Sequence, residues 1–78
     1  MILIVEDDPA LARAMTVNLT ARKYQVLTAT TGEEALVMAA DNPIEAVLHD
    51  LGLPHMSGLD VIDGIRGWSD VPIIVVTA

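Results

Sequence analysis

Carboxylate and hydroxyl side chains follow three short apolar runs of this sequence. Glu6-Asp7-Asp8 comes directly after the first run, Asp50 closes the third, and Thr77 closes the last. Two carboxylates about 4 Å apart repel by about 4 kcal/mol at an effective dielectric constant of 20, so acids brought together need a cation or raised pKa values. Oxygen ligands of this kind suit Mg²⁺, which usually takes one or two carboxylates and keeps waters for a phosphate. The acids predict a magnesium site wherever the runs meet.

The apolar runs have the character of strands in a parallel sheet. Residues 2–5, 46–48 and 71–76 are short, continuous and rich in β-branched side chains, as strands covered on both faces usually are. Residues 26–29 form a weaker run, which we predict to be an edge strand. We interpret His49 as a structural residue, because strand alternation points it away from Asp50.

The first helix is predicted from its start signal. Asp8 followed by Pro9 is typical of an N-cap and a first-turn proline, and the helix should extend to about Arg22. This N-cap role is the more economical explanation of Asp8, and we favour it over metal ligation. The residues predicted to share one face are Leu11, Ala14, Met15, Asn18 and Leu19.

Two further helices are predicted in the same way. Thr31 and Glu34 have the spacing of a capping box, and the helix should end near Ala40. Residues 57–60 open the third helix. Its apolar stripe is either Leu59, Ile62 and Ile65 or Val61, Ile65 and Trp68.

The resulting order is β-α-β-α-β-α-β. Strands that alternate with helices predict right-handed crossovers and a doubly wound parallel α/β sheet. Functional groups of such sheets collect at the carboxyl ends of the strands. The acids after the first and third strands should therefore meet the hydroxyl that follows the fourth.

Composition narrows the classes of function. The 78 residues allow one domain at most, 53% of them are hydrophobic, and the net charge of −7 would repel a nucleic acid. Such acidity favours a metal ion or a basic partner instead. The sequence has no cysteine, and no apolar stretch is long enough for a signal peptide or a membrane span, so a cytoplasmic location is expected.

Three motifs carry a resemblance that covers the whole chain. Residues 50–58 match the pattern D-x-x-x-P-x-x-x-G of the phosphoacceptor loop in response-regulator receiver domains. Residues 3–8 resemble the acidic first-strand motif of these receivers, and residues 75–78 resemble their fourth strand. Residues 50–54 and 68–72 look most like the OmpR/PhoB-type subfamily, whose receivers precede a winged-helix DNA-binding domain. The resemblance implies a flavodoxin/CheY-like fold with strand order 2-1-3-4.

The resemblance also implies a role for each matching residue. Asp50 would be the nucleophile that accepts a phosphoryl group, and Thr77 would donate its hydroxyl to that group. Asp7 and Asp50 would bind Mg²⁺ directly, together with the backbone carbonyl of Gly52. Glu6 would act on the metal through water.

The implied protein is a two-component signalling module that switches a transcriptional output, and it is not an enzyme in the turnover sense. Its partner would be a sensor histidine kinase, and DNA would be bound only through a C-terminal effector domain. Full receivers continue with a final α-β-α segment of roughly 40 residues, including a lysine that contacts the phosphoryl group, which this sequence lacks. We therefore expect weak phosphorylation, and self-association through an exposed fourth strand.

Two other functions compete with that of a phosphoacceptor receiver. A phosphotransferase of the haloacid-dehalogenase type needs a second acid two residues after its nucleophile, and Gly52 occupies that position. A receiver-like interaction domain that is never phosphorylated is the remaining alternative. The complete set of Glu6, Asp7, Asp50 and Thr77 disfavours it, and absence of Mg²⁺ binding would favour it.

Overall fold

The structure, a computed structural model, describes residues 1–50 and 58–76, with the side chains of all of these except residues 50, 58, 59 and 76. No helix within these ranges is long and apolar enough to cross a bilayer. The predicted order of elements is confirmed. The elements are β1 (Ile2–Val5), α1 (Pro9–Ala21), β2 (Val26–Ala29), α2 (Gly32–Asp41), β3 (Ala46–Asp50), α3 (Gly58–Arg66) and β4 (Ile73–Val76).

The four strands form one parallel sheet in the order β2-β1-β3-β4, as predicted. β2 is an edge strand, also as predicted, and β4 is the opposite edge. β4 begins at Ile73, two residues later than its apolar run. Pro72 has no N–H to donate to a ladder, but its carbonyl accepts from the Val47 N–H at 2.9 Å.

The main core lies between one face of the sheet and helices α2 and α3. Leu3 and Val5 point to this face from β1, and Val47 joins them from β3, all three fully buried. Complete burial of each such side chain contributes about 1.5–3 kcal/mol. The helices complete the core with Ala35, Ala39, Val61 and Ile65. This aliphatic core holds the strands in the register that positions their carboxyl ends.

Helix α1 packs on β1 and β2 with a face that differs from the predicted one. Leu11, Met15 and Leu19 are partly buried as expected, but Ala14 and Asn18 are exposed. The Asn18 amide donates to the Ala14 carbonyl at 2.8 Å. The most buried residue is Ala12, whose small side chain suits a close approach of helix to sheet. The helical period therefore predicted part of the buried face of α1 correctly. The centre of that face lies nearer to Ala12 than predicted.

The second of the two predicted stripes on α3 is correct in part. Val61 and Ile65 are fully buried, but Trp68 is 55% exposed. Trp68 falls outside the stripe because α3 ends at Arg66. The Arg66 guanidinium donates to the carbonyls of Ser69 and Val71, at 3.1 and 2.6 Å, and fixes the loop that leads to β4.

The start of α2 confirms the predicted capping box with one change. The Thr31 hydroxyl accepts from the Glu34 N–H at 3.1 Å. The Glu34 carboxylate reaches back one residue further than expected, and accepts from the hydroxyl and the N–H of Thr30 at 2.6 and 3.0 Å. These bonds, the hydroxyl first, lower the pKa of Glu34 because they favour its charged form.

Helix α1 ends in a Schellman motif built without glycine. The Tyr24 N–H donates to the Leu19 carbonyl at 3.1 Å, and the Lys23 N–H donates to the Thr20 carbonyl at 2.9 Å. The motif requires a left-handed residue, and Lys23 adopts φ 71°. This conformation costs about 1–2 kcal/mol for a residue with a Cβ.

Candidate functional site

The carboxyl ends of β1, β3 and β4 meet at one edge of the sheet. Val5 pairs with His49, and His49 pairs with Val75 on the other side of β3. Asp50 ends β3 and pairs with Val76, the last residue of β4. Continuing the β1 register by one residue places Glu6 level with Asp50. The sheet therefore brings the acids of the first and third strands to the same edge.

Glu6 is buried at this edge, with 2% of its surface exposed. Its N–H donates to the Ala29 carbonyl at 3.0 Å, so the end of β2 holds its backbone. One carboxylate oxygen, Oε1, accepts from the Asp8 N–H at 3.0 Å. A buried carboxylate is costly unless a cation or hydrogen bonds compensate it, and glutamate is rarely buried for packing alone. Glu6 is therefore a buried, hydrogen-bonded carboxylate at this edge and not a solvent-facing charge.

The two acids that follow Glu6 lie in different surroundings. Asp8 is the N-cap of α1, as predicted, and its Oδ1 accepts from the N–H groups of Ala10 and Leu11 at 2.9 and 3.5 Å. Asp7 is exposed, and it lies between the buried acid and the cap. Its side chain is accessible from solvent, as a direct metal ligand would need to be before binding.

The remaining predicted site residues fall partly or wholly outside the described part of the chain. The backbone of Asp50 is described and its side chain is not, and Gly52 and Thr77 lie outside the described residues. Among the side chains that are described, no group of three or more His, Cys, Asp or Glu is placed to hold a metal. The donor chemistry of Glu6, Asp7 and Asp50 is carboxylate throughout, which fits a hard cation such as Mg²⁺.

His49 is fully buried on β3, between Val5 and Val75 in the sheet register. By alternation it shares a face with Val47, which belongs to the main core, and points away from Asp50. Its burial supports the structural interpretation. Sequence reasoning missed the role of Ala29, whose carbonyl anchors Glu6, because a backbone acceptor leaves no signature in side-chain types.

The fold and its acidic edge define a regulatory receiver domain. A profile of the response regulator receiver domain matches residues 2–78, and the chain belongs to this family. The match argues against the haloacid-dehalogenase alternative.

Relatives of known name agree with this assignment. The chain is 51% identical over 78 residues to the transcriptional regulatory protein KdpE of Mycobacterium tuberculosis, with all of this chain and 34% of the relative aligned. It is 39% identical over 77 residues to the DNA-binding response regulator MtrA of Mycolicibacterium smegmatis, covering 99% of this chain and 34% of the relative. These relatives confirm the OmpR/PhoB-type resemblance. The chain spans about a third of their length.

Solved structures show the same fold. The response regulator TrrA of Thermotoga maritima, in complex with Mg²⁺-BeF, superposes with a TM-score of 0.92 at 36% identity, covering 99% of this chain and 68% of that one. The receiver domain of the sensor histidine kinase PA1611 of Pseudomonas aeruginosa has a magnesium ion coordinated in its active site cleft. It superposes with a TM-score of 0.89 at 31% identity, covering 95% of this chain and 63% of that one.

Proposed function

We propose that this chain accepts a phosphoryl group on Asp50, with Mg²⁺, from a sensor histidine kinase. The observation that carries the proposal is the position of Asp50 at the end of β3, where continuing the β1 register by one residue places it level with the buried Glu6. The sheet holds the backbone of Asp50 at the edge where the acids of β1 also lie. The magnesium in the two solved receivers supports the same use of the edge.

The transfer is a displacement at phosphorus. A bond forms between phosphorus and an Asp50 carboxylate oxygen, and the bond from phosphorus to the donor histidine nitrogen breaks. The imidazole leaves with the electron pair of that bond. A carboxylate is a weak nucleophile, and the product is an acyl phosphate, which is reactive enough for transfer to be reversible.

The proposed roles of the other residues follow from charge. When bound, Mg²⁺ would neutralise the charge shared by acceptor and phosphoryl oxygens. Asp7 and the Gly52 carbonyl would hold it together with Asp50. Glu6 would orient a water ligand, since its carboxylate is already fixed by the Asp8 N–H.

The proposed output is a change of state in a longer protein. The Thr77 hydroxyl would donate a charge-assisted hydrogen bond to the phosphoryl group, about 1.5–3 kcal/mol, which exists only in the modified state. A bond present in one state can bias a two-state equilibrium. The relatives are named as transcriptional or DNA-binding regulators, which supports a transcriptional output through a separate DNA-binding domain.

The direct test is the intact mass of the chain after incubation with a small acyl-phosphate donor and Mg²⁺. We expect one phosphoryl adduct that requires the metal and is absent from Asp50→Asn. Asp63→Asn is the matched control, because Asp63 is an exposed acid within helix α3 and not at the end of a strand. It should keep the adduct.

Failure of the 78-residue chain to react would be followed by the same assay on a protein that also contains the final α-β-α segment of a receiver. An adduct there would show that the added segment is needed for transfer and would keep Asp50 as the phosphoacceptor. No adduct in either protein would reject Asp50 as phosphoacceptor and favour the non-phosphorylated interaction domain.

A further inference from the structure

Helix α2 carries a shallow open depression of about 410 Å³ on its outer face. Its lining includes two acids, Glu33 and Glu34, and two apolar residues, Val37 and Met38. Val37 is 60% exposed on this face, whereas Ala35 and Ala39 of the same helix are buried in the core. The depression thus combines an apolar surface, formed by Val37 and Met38, with two neighbouring carboxylates.

The charge around the depression is not balanced locally. The exposed acids on α2 and α3 include Glu33, Glu34, Asp41 and Asp63. The cation on these helices, Arg66, donates to the carbonyls of Ser69 and Val71. Among the described side chains, no lysine or arginine lies within ion-pair distance of Glu33 or Glu34. Hydrogen bonds from Thr30 lower the pKa of Glu34, because they favour its charged form.

The two helices form one continuous surface. An added Cβ on Gly64 of α3 would lie 2.8 Å from Cδ2 of Leu36, so the helices approach closely. The other three cations, Arg13, Arg22 and Lys23, lie on or just after α1, which covers the opposite face of the sheet. The molecule therefore has an acidic helical face and a separate basic region.

From this arrangement we propose that the α2 face docks a cationic amphipathic polypeptide segment. An aliphatic or aromatic side chain of the partner sits over Val37 and Met38, and its lysine or arginine side chains reach Glu33 and Glu34. Charge complementarity selects this occupant, since a partner with acidic flanks would be repelled. The area is small for a stable complex, so the interaction is weak and transient.

The test uses a synthetic helical peptide of lysine and leucine, blocked at both ends, and titrates it into the chain while amide signals are followed by NMR. We expect the largest shifts in α2 around Val37, and binding that weakens as salt is added. Val37→Ser should weaken binding about tenfold. Val17→Ser is the matched control, because Val17 is 62% exposed on α1, and it should leave binding unchanged.

Two further comparisons separate docking from general attraction to an acidic protein. Glu33→Gln should weaken binding more than Asp70→Asn, which removes the same charge from an exposed loop residue. A peptide with serine in place of leucine should bind several-fold more weakly. Equal effects of Val37→Ser and Val17→Ser, or equal binding of the serine peptide, would overturn the proposal. A chain that self-associates through α2, and that Val37→Ser makes monomeric, would also overturn it by assigning the face to a second copy.

Discussion

The backbone N–H of Asp8 donates to Oε1 of the buried Glu6 at 3.0 Å, while the Asp8 side chain turns to cap α1. One residue thus fixes the orientation of the buried acid and also starts the helix. Asp7 is left between them with an exposed side chain. The three consecutive acids therefore lie in three different surroundings, and substitutions can distinguish their effects.

Asp7→Asn and Asp8→Asn should differ sharply in metal binding, although each removes one charge. We expect Asp7→Asn to weaken Mn²⁺ or Mg²⁺ binding about tenfold or more, because it removes the carboxylate that we propose as a direct ligand. Asp8→Asn should bind nearly as well as the wild type, since asparagine caps a helix about as well as aspartate. Paramagnetic broadening of amide signals during a Mn²⁺ titration measures both. Equal losses in the two variants would contradict the assignment of Asp7.

Glu34 should contribute to the pH dependence of stability. Its folded-state pKa lies below the ordinary value of 4.5, so its stabilising effect is present above that value and is lost as the pH falls through the folded pKa. We expect Glu34→Gln to lower the free energy of unfolding near pH 7, and the difference from the wild type to vanish under acid conditions. Urea unfolding at a series of pH values measures this.

Glu33→Gln is the control for that series. Glu33 lies beside Glu34 in the first turn of α2 and makes no side-chain hydrogen bond to another described residue. Glu33→Gln removes a charge from the same turn and keeps the bonds to Thr30, so the loss of stability near pH 7 should be larger in Glu34→Gln. Equal losses in the two variants would show that the bonds to Thr30 do not persist in solution.

Lys23→Gly should stabilise the chain. Lys23 holds φ 71° after the end of α1, where glycine avoids the steric cost of a Cβ. Part of the gain is offset by the greater freedom of glycine in the unfolded chain, which leaves about 0.5–1 kcal/mol. Lys23→Ala separates this backbone effect from loss of the charge. Chemical unfolding measures the stability of both variants. Equal stability of the glycine and alanine variants would rule out the backbone effect.

The outer edge of β4 should drive self-association of this 78-residue chain. Ile74 and Val75 are 54% and 43% exposed, and within the described sheet β4 has a neighbour only at β3. An uncharged edge of this kind is a template for strand pairing. We expect Ile74→Lys to shift the chain towards monomer in sedimentation at micromolar concentration, and Val17→Lys on α1 to have no such effect. A monomeric wild type would count against the prediction.

Short-range sequence patterns predicted most of the helices and strands. The Asp8 cap, the Thr31 box and the apolar strands depend on residues within a few positions of each other, so they are legible along the chain. The main predictions that needed correction concern which side of a helix is buried. Asn18 and Trp68 fit a helical period, but their exposure depends on where the helix rotates and ends against the rest of the fold.

The sequence by itself determined the order of elements, the family and the identity of the acids available to the site. Only the tertiary structure decided which acid is buried, because Glu6 is held by the Ala29 carbonyl of β2 and the Asp8 N–H. It also decided that the α2 acids border an apolar depression while the α1 cations lie on the opposite side. The physical reason is that burial depends on packing between segments distant in the chain, whereas caps and strand character depend on neighbours.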